Sequence, residues 1–195
     1  SFPDTEEESV ASENGPVEQD VDSDSYTGDD LVDRLRLDDV SQWISCIVIV
    51  NFDAELGQRV EHTYPSQHDL SELELKNISF LSFPDTALNG EKDSLYVFRL
   101  RRSAGSYLYG YVLFRQQKNA SVRRGYLQQS VCVLSPHPFV GLFLRIAELA
   151  GSFYFEFGTR ILEVAAHSIC SWPALEDLKR SSFLEFPFVG EIIRY

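Results

Sequence analysis

Apolar residues along the chain predict a sheet whose middle strands are covered on both faces. The run at 43–52 (WISCIVIVNF) is apolar on both alternating faces and rich in β-branched residues, which is typical of a strand buried on both sides. The segments at 107–116 and 124–135 form a predicted hairpin and are also apolar on both faces. We therefore expect these three strands to occupy the interior of the sheet.

Two other segments have a single apolar face, which predicts the edges of the sheet. In the segment at 59–65, Val60, His62 and Tyr64 alternate with polar residues. No second metal-binding residue lies at a useful spacing from His62, so we expect a half-buried structural histidine. The segment at 94–102 alternates large apolar residues with arginines, and these arginines oppose indiscriminate pairing with other strands.

Helical spacing of apolar residues predicts three helices. The first begins at a capping box, in which the side chains of Ser71 and Glu74 bond to each other's backbone amides. The second is predicted at 137–151, and Gly151 at its end is a typical stop signal. The third is predicted at 159–173, where a Trp-Pro pair ends it.

The order of these elements predicts an α/β fold. A five-stranded sheet of order 2-1-5-4-3 packs between one helix and two C-terminal helices, and the domain spans 41–173. The segment at 183–195 is strand-like but has no predicted partner. We therefore expect 174–195 to be a linker and the first strand of a following module that is absent from the chain.

The acidity of the chain is concentrated at its start. Residues 1–40 hold 14 Asp and Glu against Arg34 and Arg36, whereas the whole chain has a net charge of -13. The remaining 155 residues are therefore close to neutral, with a net charge of -1. The segment at 1–40 contains few large apolar groups, which predicts a disordered acidic arm. Since no basic stripe crosses the folded part, we expect no nucleic-acid partner.

Candidate chemistry in the chain is sparse. Cys46, Cys132 and Cys170 lie in apolar runs without CxxC spacing, which predicts reduced, buried, structural thiols and a cytoplasmic protein. No run of about 18 apolar residues is present, so we expect peripheral membrane association through partners. The chain has no P-loop, GxSxG or HExxH motif. We therefore predict no catalytic residue, no metal site and no cofactor.

Several motifs in the right order resemble those of one protein family. They are FDAELGQRVEHTYP (52–65), NISFLSFPD (77–85), YGYVLFRQ (109–116), RGYLQQSVCVLS (124–135) and SWP (171–173). Together they resemble the upstream DENN (uDENN) module of DENN-domain proteins, and within these the DENN-domain protein 6 subfamily. The resemblance covers 43–195 and implies a longin-like fold.

The resemblance also implies a function. Such a protein is a guanine nucleotide exchange factor for Rab GTPases, cytoplasmic and recruited to endosomal membranes. Its longin half and a larger downstream DENN module hold the GTPase between them. It acts by binding the nucleotide-free GTPase more tightly than the loaded one, so the useful residues are exposed groups on one surface.

Two loops supply candidates for GTPase binding. The first hairpin and the segment after the first helix contain Phe52, Asp53, Glu55, Phe83, Pro84 and Asp85. The alternative for the second segment is a packed turn, with Phe83 buried and Asp85 capping the chain reversal.

The tip of the interior hairpin carries two arginines, Arg123 and Arg124, which are further candidates for GTPase binding. Arg124-Gly125-Tyr126 resembles an Arg-Gly-Phe in folliculin, a distant longin-DENN protein, where the arginine assists GTP hydrolysis. An arginine finger of this kind stabilises the transition state of phosphoryl transfer. Two other functions of the protein therefore stay open, a GTPase-activating longin and a non-catalytic adaptor. For the tip itself, the alternative is that its arginines merely keep the hairpin solvated.

Overall fold

Five antiparallel strands form the main sheet of the computed structural model, in the order β2-β1-β5-β4-β3. The structure describes residues 40, 42–84, 92–121, 125–176, 178 and 184–195. The strands are β1 (Cys46–Asp53), β2 (Gly57–Tyr64), β3 (Lys92–Arg101), β4 (Tyr107–Lys118), β5 (Tyr126–Ser135), β6 (Glu185–Phe188) and β7 (Glu191–Arg194). The helices are α1 (Glu72–Leu81), α2 (Val140–Phe157) and α3 (Arg160–Cys170). The predicted α/β fold and strand order are confirmed.

The sheet separates two hydrophobic clusters. In β1, Ile47 and Ile49 contribute to the cluster under α2 and α3, whereas Val48 and Val50 contribute to the cluster under α1. All four side chains are fully buried. The predicted interior position of β1, β5 and β4 is therefore confirmed, with β2 and β3 at the edges. None of the described helices is long and apolar enough to cross a membrane.

The predicted acidic arm lies outside the described residues, except at its last position. Val40 is 1% exposed and belongs to the cluster under α2 and α3. Its carbonyl oxygen accepts a hydrogen bond of 3.0 Å from the amide of Ile44, which closes one helical turn before β1. The folded part therefore includes Val40, which the prediction placed in the arm.

A register shift in β2 overturns the prediction of one continuous apolar face. Ile49 pairs with His62 and Val50 pairs with Val60, so Glu61 is an extra residue in the ladder. Such a bulge moves the following residues to the other face of the sheet. Val60 consequently packs against the cluster under α1 and Tyr64 against the other cluster. His62 is exposed, so the expectation that it is half-buried is wrong.

The predicted capping box at the start of α1 is confirmed. Glu74 accepts a hydrogen bond of 2.9 Å from the Ser71 amide, and the Glu74 amide donates to the Ser71 hydroxyl. Arg102 donates to Glu74 at 3.0 Å and to Asp69 at 2.7 Å. The bond from Arg102, followed by that from the Ser71 amide, holds the pKa of Glu74 below its ordinary value. This network ties the start of α1 to the β3–β4 turn.

Helix α2 does not end at Gly151, and the predicted stop is wrong. The helix continues to Phe157 and is capped by Gly158, whose φ of 74° is in the left-handed region. A Cβ at position 151 would lie 2.4 Å from Cδ2 of Leu113 and 3.1 Å from its Cβ. The glycine therefore serves the close approach of α2 to β4.

The segment after α3 forms a hairpin of its own, so the expectation of an unpartnered strand is wrong. Strands β6 and β7 pair through a two-residue turn at Val189 and Gly190, whose φ values of 47° and 84° are typical of a type I′ turn. Phe186 and Phe188 are buried in the cluster under α2 and α3. The expectation that a further module follows this segment stays a prediction.

Replacing Gly151 by alanine should destabilise the protein. Alanine favours a helix interior by about 1 kcal/mol over glycine, but crowding of a packed core costs about 1–3 kcal/mol. We expect a net loss of about 1 kcal/mol in the free energy of unfolding, measured by urea denaturation. A Leu113→Ala background removes the clash with Cδ2 and Cγ and leaves only the 3.1 Å approach to Cβ, so Gly151→Ala should be clearly less destabilising there. An equal effect of Gly151→Ala in both backgrounds would contradict the packing role.

Replacing Glu74 by glutamine should lower stability in a pH-dependent way. The substitution keeps an acceptor for the capping box but removes the charge that faces Arg102, at a cost of about 1–3 kcal/mol at pH 7. The pKa of Glu74 is lowered in the folded state, so its contribution is complete above about pH 4.3, the ordinary glutamate value. The contribution is lost as the pH falls through the lower folded pKa.

The difference in unfolding free energy between the two proteins should therefore shrink below about pH 4. Glu72→Gln is the matched control, because Glu72 is an exposed acid in the same helical turn. It should change stability by less than about 0.5 kcal/mol. A constant difference between wild type and Glu74→Gln from neutral pH to pH 3 would exclude the proposed role of the ion pair.

Candidate functional site

One end of the sheet gathers the candidate segments that are far apart in the sequence. Asn51 in β1 pairs with Gln129 in β5, and Lys118 at the end of β4 pairs with Tyr126. The β1–β2 turn and the β4–β5 tip therefore lie at the same end of the sheet. We call this region the turn end; it consists of 53–57, 83–84, the tip flanks 118–121 and 125, and 157–160.

Helices α1 and α2 also reach the turn end. The guanidinium carbon of Arg115 lies 4.3 Å from the ring centroid of Phe155, while Gly151 lies over Leu113. Helix α2 therefore runs along β4 toward the hairpin tip. At the end of α1, the buried hydroxyl of Ser130 in β5 donates to the carbonyl oxygen of Ser82. This bond fixes the segment that follows α1 against the sheet.

The β1–β2 turn is held by Asp53. Its carboxylate accepts hydrogen bonds from the amides of Leu56 and Glu55, at 2.9 and 2.8 Å. These two bonds lower the pKa of Asp53. Glu55 is exposed and Leu56 is 66% exposed. The turn thus uses Asp53 internally and presents Glu55 and Leu56 to solvent.

Phe83 is buried, in agreement with the packed-turn alternative. It is 9% exposed, and its ring centroid lies 5.3 Å from that of Phe114 and 6.1 Å from that of Phe52. Pro84 is half-buried, and Asp85 lies outside the described residues. Phe83 therefore links β1, β4 and the segment after α1, and the structure gives it a packing position. The role of these residues in GTPase binding stays a prediction.

The two tip arginines, Arg123 and Arg124, lie outside the described residues. Their flanks are at the turn end, where the amide of Asn119 donates to the carbonyl oxygen of Gly125 at 2.9 Å. Strand β4 extends to Lys118, two residues beyond the predicted end.

Exposed apolar and charged groups are mixed at the turn end. Phe157 is 59% exposed at the end of α2, next to exposed Glu156 and close in sequence to exposed Arg160. Leu56 and Glu55 are exposed at the same end of the sheet, so this end presents apolar side chains and charged side chains of both signs. Exposed aromatic and aliphatic groups within a polar rim are typical of protein–protein contacts. Sequence reasoning missed Leu56 and Phe157, although a leucine in a hairpin turn next to Gly57 was a usable signal.

The thiols take no part in this surface. Burial raises the pKa of Cys132 to about 12 and also raises that of Cys46. The predicted burial is confirmed for these two residues, whereas Cys170 is only half-buried. All three are free of disulfides. Among the residues that the structure describes, no group of three His, Cys, Asp or Glu side chains could hold a metal ion.

Comparison with known proteins identifies relatives of the chain. The family described as transport protein Avl9 matches residues 44–163. The chain is 41% identical to "Protein DENND6 homolog" of Dictyostelium discoideum over 160 residues, which is 79% of this chain and 22% of that protein. It is 33% identical to "Protein DENND6A" of Mus musculus over 184 residues, covering 82% of this chain and 30% of the relative. For "Protein DENND6B" of Homo sapiens the identity is 33% over 178 residues, covering 79% and 30%.

The chain thus spans less than a third of the length of these relatives. The family match covers more than half of the chain, from two residues before β1 into α3. It includes β1 to β5 and therefore the whole main sheet. The chain belongs to the family of the transport protein Avl9 and, with its DENND6 relatives, to the DENN-domain proteins.

Proposed function

We propose that this chain is the upstream, longin-like module of a guanine nucleotide exchange factor for Rab GTPases. Membership of the DENN-domain proteins carries the proposal. The module acts in the cytoplasm on endosomal membranes, which it reaches through its partners. The turn end is its contact surface for the GTPase.

The geometry of the turn end supports this role. Exchange needs no acid, base or nucleophile; it needs a surface that binds the nucleotide-free GTPase more tightly than the loaded one. By linkage, the free energy by which the exchange factor weakens nucleotide binding to the GTPase equals the free energy by which the nucleotide weakens binding of the exchange factor. Leu56 and Phe157 are exposed apolar groups that can become buried by a partner. Glu55 and Arg160 supply polar contacts around them.

The turn end is also preorganised. The two hydrogen bonds to Asp53 fix the β1–β2 turn, and the contacts of Phe83 fix the segment beside it. A surface that is already ordered loses less conformational entropy when it binds, so more of the contact energy appears as affinity. We therefore expect the module to bind without refolding of these segments.

The remainder of the longer protein supplies the second contact. The relatives are more than three times as long as the matched segment, and in our proposal their downstream DENN module holds the other side of the GTPase. The 195-residue chain should then bind a Rab weakly and catalyse no exchange by itself. Exchange should require the downstream module in the same protein.

Substituting Leu56 by aspartate should impair exchange. The measurement is release of a fluorescent GDP analogue from a panel of purified Rab GTPases, using a protein of the relatives' length that contains this chain. The intact protein should accelerate release from one or two Rabs, and Leu56→Asp should lower that rate at least about tenfold, typical of losing an apolar interface anchor. Leu73→Asp is the matched control, because Leu73 is also 66% exposed but lies in the first turn of α1, at the opposite end of this helix from the turn end.

If Leu56→Asp and Leu73→Asp lower the release rate equally, the turn end is not the contact surface for the GTPase. If the intact protein accelerates release from no Rab, the exchange function itself is wrong. A GTP-hydrolysis assay with Arg124→Ala then separates the remaining alternatives. Loss of stimulated hydrolysis at unchanged affinity indicates a GTPase-activating longin, whereas binding that ignores the nucleotide state indicates an adaptor.

A further inference from the structure

Strand β3 leaves one long edge of the main sheet unpaired within the described part of the chain. It pairs with β4 over ten consecutive residues without a register shift. The other edge strand, β2, has eight residues and is interrupted by its bulge. Bulges and short lengths protect edges against pairing with other chains. The β3 edge lacks both of these protections.

The side chains of β3 are arranged asymmetrically along the strand. On the face toward α2, the strand carries Asp93 near its start and Arg99 and Arg101 near its end. Between them, Leu95 is 42% exposed. On the opposite face, the strand carries Tyr96, Phe98 and Leu100, which pack against the cluster under α1.

The two arginines of β3 differ in their contacts. The guanidinium carbon of Arg99 lies 4.5 Å from the ring centroid of Tyr107. Arg101 is exposed and makes no ion pair with any described carboxylate. Asp93 accepts two hydrogen bonds from Arg115 on the neighbouring strand, at 2.7 and 2.5 Å. Among the described side chains of this edge, Arg101 is therefore available to an acidic group.

We propose that the β3 edge pairs with β3 of a second copy of this chain, antiparallel, with the two-fold axis at Val97. In this register Asp93 faces the partner's Arg101 at both ends of the pairing. Leu95 lies opposite the aliphatic part of the partner's Arg99. Opposite-charge and apolar pairs directly across antiparallel strands stabilise them.

The opposite face of the sheet is also complementary in this register, because Tyr96 lies opposite the partner's Phe98. Aromatic pairs across strands are stabilising. A parallel pairing in register would instead place Arg99 and Arg101 beside their own copies, which like-charge repulsion disfavours. Moving the axis to Tyr96 would direct Asp93 to the partner's Arg99, which already lies over Tyr107. The charged side chains of β3 thus oppose pairing with other strands in general but favour this one antiparallel register with a second copy of β3.

The dimer has a consequence for the turn ends. The start of β3 lies toward the turn end, since Lys92 pairs with Gln116 near the hairpin tip. A two-fold axis perpendicular to the sheet reverses the strand direction in the second copy. The two turn ends therefore point away from each other, and each stays accessible in a continuous ten-stranded sheet.

Charge-swapped variants test the pairing, with sedimentation velocity of the 195-residue chain as the measurement, from micromolar to submillimolar concentration. The wild-type chain should form dimers within this range. Arg101→Asp should raise the dimer dissociation constant at least about tenfold, because two acidic groups then face each other. Asp93→Lys should do the same. An equimolar mixture of the two variants should dimerise again, since each opposite pair in the mixed dimer joins a cation to an anion.

The mixture also guards against misfolding, since a variant that fails to fold restores nothing. Arg99→Asp is the control: it makes the same charge change on the same face, and should impair dimerisation less than Arg101→Asp. A wild-type chain that stays monomeric throughout the series overturns the proposal. An equimolar mixture of Arg101→Asp and Asp93→Lys that stays monomeric also overturns the proposal. Greater sensitivity to Arg99→Asp than to Arg101→Asp overturns the assigned register.

Discussion

The arrangement of the molecule is governed by its three interior strands, β1, β5 and β4. Both faces of these strands must be shielded from water. Val48 in β1, Val131 and Cys132 in β5, and Val112 in β4 are all fully buried. Apolar surface of this kind drives burial on each side of the sheet. Helices α2 and α3 with the β6–β7 hairpin cover one face, and α1 covers part of the other. With the faces occupied, partner contacts are left to the ends and edges of the sheet.

The turn end is ordered by the same packing. The aromatic contacts of Phe83 with Phe52 and Phe114 extend the cluster under α1 to the limit of the sheet. Beyond them, the exposed side chain of Leu56 stands on a turn that Asp53 holds by hydrogen bonds. Buried aromatic side chains thus position the backbone of this surface, and exposed side chains supply the groups that a partner could contact. In the proposed contact surface, buried Phe83 would therefore act by positioning its neighbours, and exposed Leu56 would act by direct contact.

The sequence predicted those features that depend on neighbours along the chain. Strand order followed from apolar alternation, and the Ser71–Glu74 capping box followed from spacing alone. The missed β6–β7 hairpin was a local error, since its turn is only two residues long. Other errors arose where a distant residue decides the outcome. Helix α2 runs through Gly151, where the glycine allows close packing on Leu113. No signal in the neighbouring sequence shows that contact. Of the candidates at the turn end, Phe52 and Asp53 are the last residues of β1, whereas Glu55, Phe83 and Pro84 lie outside the strands and helices. Their convergence depends on strand register, which local patterns leave open.

Tyr195 and the turn end lie at opposite ends of helix α2. Its ring centroid lies 6.1 Å from that of Phe139, immediately before the start of α2. Helix α2 has 18 residues and ends at the turn end, so with a rise of 1.5 Å per residue these two sites are about 27 Å apart. In our proposal a downstream DENN module contacts the same GTPase as the turn end. Two contact surfaces separated by this distance would then be bridged by the GTPase itself, so its binding would fix their relative position.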